Sequence, residues 1–109
     1  MSGNEKVFVT WRAALIVAVG DHNGIEAVGE AEFEDEQAAR AWIEHQLPTA
    51  VLPEWVHRRP HGAAGAFIFG SLAQGWCTDH GPGDREWQPD PDATQYCADL
   101  VDGQVRWHP

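Results

Sequence analysis

Residues 33–48, Phe33-Glu34-Asp35-Glu36-Gln37-Ala38-Ala39-Arg40-Ala41-Trp42-Ile43-Glu44-His45-Gln46-Leu47-Pro48, limit what this chain can become more than any other stretch. Ala38, Ala39, Trp42, Ile43, Gln46 and Leu47 recur at three- and four-residue intervals, the spacing that collects side chains on one helical face. Glu36, Gln37, Arg40 and Glu44 take the other face, with Glu36 four residues before Arg40 in the order that favours an ion pair. Glu34, Asp35 and Glu36 place negative charge at the positive end of the helix dipole, and Pro48 cannot continue the helix. The spacing predicts a helix of about thirteen residues, about 20 Å long. A lone amphipathic helix needs a second layer over its apolar stripe, and the flanking sequence supplies strands on both sides.

Upstream, Val7, Val9, Trp11, Ala13, Leu15, Val17 and Val19 alternate with Phe8, Thr10, Arg12, Ala14, Ile16 and Ala18. Ile25, Ala27, Gly29, Ala31 and Phe33 alternate with Glu26, Val28, Glu30 and Glu32, and Gly20-Asp21-His22-Asn23-Gly24 between them is turn chemistry. A two-residue Asn23-Gly24 loop would set apolar residues of one strand against polar residues of the other. A loop from Gly20 to Gly24 pairs Val19 with Ile25, Val17 with Ala27, Leu15 with Gly29, Ala13 with Ala31 and Trp11 with Phe33. The other face then pairs Arg12 with Glu32 and Ile16 with Val28, so matched faces and opposite charges both favour this register. It leaves Ala14, Ile16, Ala18 and Val28 together on a face that the helix cannot also cover.

Downstream, Pro48, Pro53 and Pro60 punctuate the chain, and Pro53 suits the start of a single helical turn. Gly62 to Gly65 leads into Ala66-Phe67-Ile68-Phe69-Gly70-Ser71-Leu72, a central strand expected to reach Trp76 or Cys77. Residues 79–92, with Gly81, Pro82, Gly83, Pro89 and Pro91, read as a long loop. Thr94 to Val101, Asp102-Gly103 and Gln104 to His108 form a hairpin signature of the type I′ kind. Its two-residue loop pairs Leu100 with Val105, Asp99 with Arg106, Ala98 with Trp107 and Cys97 with His108. The expected order is strand, strand, helix, strand, strand, strand. This is one α+β domain over residues 1–109, a single antiparallel sheet with an amphipathic helix on one face.

At 109 residues, 43% apolar and with six tryptophans, the chain can bury a core without metal or disulfide. Its formal charge of −10 sets a repulsive field against nucleic acid phosphates and anionic lipid, so neither is an expected partner. The N-terminus lacks a basic segment followed by an apolar run, and the apolar run Ala13–Val19 is too short to span a bilayer. Two cysteines in such a setting suggest a reduced, cytoplasmic protein.

Four clusters could carry chemistry. Cys77-Thr78-Asp79-His80 holds a nucleophile, an acid and a base, but on an extended segment Cys77 and Asp79 share one side while His80 points away. Cys77, His80, Cys97 and His108 make up a tetrahedral zinc set in kind, without the spacing of a familiar finger. Trp55-Val56-His57-Arg58-Arg59-Pro60-His61 is the one basic cluster. Trp55, His57, Arg58 and Arg59 have the makings of a carboxylate or phosphate contact beside an aromatic anchor, and Trp87 either pins its loop or is presented to a partner. The acidic row of Glu26, Glu30, Glu32, Glu34, Asp35 and Glu36 reads as a solvated face that could also imitate a line of phosphates.

No metal or cofactor is expected. The sequence favours a non-enzymatic protein–protein interaction or regulatory module that pairs with itself as a homodimer, or with another protein, through the second apolar face of the first hairpin. The alternative is a small-molecule-binding domain or enzyme with a pocket between helix and sheet, lidded by residues 79–92 and lined by Trp42, Trp76 or Trp87.

Overall fold

The computed structural model describes residues 6–19 and 25–108. Two long strands, β1 (Lys6–Ala18) and β2 (Ile25–Phe33), precede the helix α1 (Glu36–Gln46). A short helix α2 (Glu54–His57) follows, then β3 (Phe67–Gly81), β4 (Asp84–Pro89), β5 (Tyr96–Val101) and β6 (Gln104–His108). All pairings are antiparallel, in the order β2-β1-β3-β5-β6, with β4 added to the far end of β3. The molecule is thus an α+β fold with one antiparallel sheet and α1 on one face.

The helix forms as its sequence dictates. Asp35 is the N-cap, its side chain accepting from the Gln37 N–H at 3.2 Å. Glu36 accepts from Arg40 Nε at 2.8 Å. Pro48 sits in a 3₁₀ turn, Leu47–Thr49, that ends the run. Ala39, Ile43 and Leu47 are buried, and Trp42 packs at their edge. Ala38, expected on the buried stripe, is exposed, because Ala39 and Ile43 define the line that meets the sheet. The core sits between that line and Ala13, Leu15, Leu72 and Ala98.

The last hairpin has the expected register throughout, Cys97 opposite His108 and Leu100 opposite Val105. Asp102 and Gly103 both adopt positive φ, 52° and 79°, as a type I′ turn requires. The first hairpin matches from Trp11↔Phe33 to Leu15↔Gly29 and then departs. A bulge places Ile16 opposite Ala27, Val17 opposite Glu26 and Ala18 opposite Ile25, in place of the expected partners Val28, Ala27 and, for Ile25, Val19. One extra residue in β2 absorbs the slip, so the inner half keeps its matched faces while the outer half shifts. The expected turn at residues 20–24 lies outside the described residues.

The larger correction concerns residues 79–92. They are not a long loop. β3 runs on to Gly81, a tight turn at Pro82-Gly83 reverses the chain, and β4 returns along β3 with Cys77 opposite Trp87 and Asp79 opposite Arg85. Gly83 takes φ of 76°, the left-handed position a type II turn needs after proline. The sheet therefore has six strands where five were expected, and α2 adds a second helix.

Strand length outruns helix length. β3 has 15 residues and so spans about 50 Å, whereas α1 has 11 and spans about 16 Å. The principal extents of 55 × 27 × 24 Å follow from that mismatch. Beyond α1, the N-terminal half of β1, the end of β3 and β4 project as a three-stranded blade.

Candidate functional site

The most organised side-chain cluster lies where β4 joins the sheet, on the face opposite α1. Trp87 crosses Gly75 so closely that a Cβ there would stand 2.5 Å from the ring and 2.3 Å from the Gln88 carbonyl. Its Nε1–H donates to Thr10 Oγ1 at 3.0 Å, and the Arg12 guanidinium stacks on its ring at 4.3 Å. Arg12 also faces Glu30 and Glu32 at 3.9 and 3.7 Å. Arg85 donates to Glu32 at 3.0 Å and lies 5.5 Å from the Phe8 ring centroid. The Arg85 guanidinium is held above its ordinary range, first by its hydrogen bond to Cys77, then by the carboxylates of Glu32 and Asp79. Each cation here already has carboxylate and aromatic partners. The cluster therefore clamps β4 to β1 and β2, and Trp87 is committed to the body.

The other sequence candidates lie elsewhere. In α2, Val56 is fully buried and anchors the turn, while Trp55, His57 and Arg58 face outward. Arg58 donates to Glu54 on its own helix at 3.0 Å, and Arg59 is half-buried. Arg58 and Trp87 thus engage separate partners, and among the described residues no contact joins them into one site.

The cysteine readings meet plain geometry. Cys97 does lie opposite His108, but it also lies opposite Ser71, six residues before Cys77 on the same strand. Six residues of strand are about 20 Å, far beyond a shared zinc ion at bonds near 2.0–2.3 Å. His108 Nε2 instead lies 2.7 Å from Asp99. Among the described residues no group of three or more His, Cys, Asp or Glu side chains could hold a metal. As for nucleophilic chemistry, Cys77 is 1% exposed. Asp79 Oδ1 accepts from the Gly81 N–H at 3.0 Å, and His80 lies 3.8 Å from Glu86. The acid serves the turn and does not orient the base.

Among the described residues, none of the three cavities found lies between helix and sheet. The largest cavity described, about 620 Å³, is an open depression at the β3–β4 tip lined by Lys6, Asp79, His80 and Arg85. Two smaller ones, about 190 and 180 Å³, lie along residues 89–95 and beside Leu47, Leu52 and Phe67. Trp42, Trp76 and Trp87 line none of the three. Residues 79–92, being strand and tight turn, do not act as a lid.

What the fold leaves open is apolar surface. On the face away from α1, Ile16 and Ala18 of β1 lie opposite Phe69 and Phe67 of β3, whose rings meet at 6.0 Å between centroids. Phe67 is 53% exposed and Val28 39%. Sequence reasoning found Ile16, Ala18 and Val28 but missed the phenylalanines, because their partner strand was not known. Among the described residues no helix is long and apolar enough to cross a membrane. Comparison with protein-family models, curated proteins and solved structures finds no match to this chain.

Proposed function

We propose that this chain is a non-enzymatic protein–protein interaction module that works as a homodimer, with the sheet face opposite α1 as its contact surface. The observation that carries the reading is the run Ile16, Ala18, Phe67 and Phe69, aligned across β1 and β3 without a covering element among the described residues. An antiparallel sheet with helices on one side ordinarily keeps its other side polar. Here β2 obeys, with Glu30 and Glu32 in line, and β1 with β3 does not. Two such faces can stack as aligned sheets about 10 Å apart.

The test is Ile16→Glu combined with Phe69→Lys. The two positions are direct cross-strand partners, so the new charges attract and the monomer fold should survive. Loss of the dimer in sedimentation, with an unchanged circular dichroism spectrum, supports the reading. Unchanged assembly with an unchanged spectrum removes it.

A further inference from the structure

A second surface stands on a separate observation. β2 ends at Phe33, opposite Trp11, and the Asp35 cap turns the chain away into α1. Among the described residues, β1 from Lys6 to Thr10 is paired with β3 on one side only, and its other edge has no strand partner. Val7 is 61% exposed and Val9 45%, and Trp76, opposite Val9, is 39% exposed.

The outermost strands of the sheet carry features that discourage strand addition. β2 has Glu26, Glu30, Glu32 and a bulge. β4 has Asp84, Arg85, Glu86 and Pro89, and β6 has Arg106 and His108. Charges, prolines and bulges on edges block pairing with another chain. Val7-Phe8-Val9-Thr10 has none of them and is made of strong strand formers. Left open, such an edge is an aggregation site.

We infer that the Lys6–Thr10 edge of β1 is a self-pairing seam, joining two copies antiparallel about a twofold axis at Phe8. The register follows from the ends and from the sequence. Phe33 closes the lane beyond Thr10. Val7-Phe8-Val9 is palindromic, which sets Val7 against Val9 of the second copy, twice, and Phe8 against itself. Lys6 meets Thr10, so no like-charged residues of the two paired strands face each other although each copy carries −10 overall. Both valine pairs and both Trp76 rings fall on the same side of the joined sheet. A twofold seam uses the edge up in both copies and halts further growth. This seam is independent of the sheet-face reading.

The experiment uses the full chain in a Cys97→Ser background. Chains bearing Val7→Cys and chains bearing Val9→Cys are oxidised separately and as a mixture. A disulfide needs Cβ atoms about 3.5–4.5 Å apart, which directly opposite positions approach and diagonal ones, about 7–8 Å apart, do not. The expected result is a disulfide-linked dimer in the mixture and little in either sample alone. In parallel, native mass spectrometry follows Val7→Lys/Val9→Lys, whose exposed positions spare the monomer, and the Ile16→Glu/Phe69→Lys pair. The lysine pair should raise the dissociation constant of this seam at least about 100-fold.

A dimer that only the lysine pair dissolves supports the seam and removes the sheet-face reading. A dimer that only Ile16→Glu/Phe69→Lys dissolves, with no mixed disulfide, overturns the seam and leaves that reading standing. A tetramer that each pair halves supports both. A wild-type chain that stays monomeric by sedimentation at about 1 mM, where an association of only about 4 kcal/mol would show, overturns both.

Discussion

Gly70 is where the helix comes nearest the sheet, and it offers a quantitative test of the core. A Cβ built at Gly70 stands 2.6 Å from Ile43 Cγ2 and 3.4 Å from Ala98 Cβ. Carbon atoms settle at about 3.5–4.0 Å, so Gly70→Ala overlaps Ile43 by about 1 Å at a residue with no solvent exposure. Overpacking of this kind costs about 1–3 kcal/mol, partly offset by about 0.5–1 kcal/mol from the lower chain entropy of alanine in a strand. Ile43→Ala alone removes the clashing atom and opens a cavity, at about 2–5 kcal/mol. In the double variant the atom nearest the new methyl on that side is the Cβ of residue 43, at 3.7 Å, which is ordinary contact. The methyl introduced by Gly70→Ala then fills part of the hole that Ile43→Ala leaves. The double variant should be no less stable than Ile43→Ala, with a coupling of about 1–3 kcal/mol between the two changes. Urea unfolding followed by tryptophan fluorescence, with linear extrapolation, measures it. Additivity within about 0.5 kcal/mol would refute the close approach of α1 at Gly70.

Two further outcomes follow from the opposite face. Trp87→Phe removes the donor to Thr10 Oγ1, which belongs to a residue 1% exposed, and should cost about 1–3 kcal/mol while loosening β4. Unchanged stability, together with unchanged amide exchange over 84–89, would show that the indole does not hold the strand. A chelator and Cys97→Ser should each leave the melting temperature where it was, since Cys77 and Cys97 lie about 20 Å apart along the sheet. A drop on chelation would restore the zinc reading.

Features encoded locally were legible in the sequence. Asp102-Gly103 sets two consecutive positive φ values, and with the loop length fixed every pair of the β5–β6 hairpin follows. Glu36, Arg40 and the buried line Ala39, Ile43, Leu47 sit at helical spacing, and Asp35 caps the first turn. Trp11↔Phe33 through Leu15↔Gly29 follows from matching one alternating run against another. The apolar stretch Ile16, Ala18 and Val28 was equally visible. What it lies beside was not, because the strand carrying Phe67 and Phe69 is about fifty residues away in the chain.

β4 shows where that legibility ends. Asp84-Arg85-Glu86-Trp87-Gln88-Pro89 has one apolar residue and a proline, and by composition it is loop. The Pro82-Gly83 turn, with Asp79 facing Arg85 and Cys77 facing Trp87, was a signal that could have revealed it. What holds β4 in place is distant: the bare Gly75 backbone, the Thr10 hydroxyl, and Arg12 stacked on the indole. Arg40 follows the same rule. Helical spacing assigns it to solvent, yet its guanidinium lies over Tyr96 and Trp107 at 4.7 and 4.6 Å, because β5 and β6 come round beneath it. Turn geometry, capping and periodicity act within a few residues, and the sequence by itself determined the helix, the first and last hairpins and most of their registers. Strand neighbours, the bulge at Val28, the unguarded edge at Val7–Thr10 and the surface left uncovered depend on which distant segments compete for the same partner, and only the tertiary structure decided those.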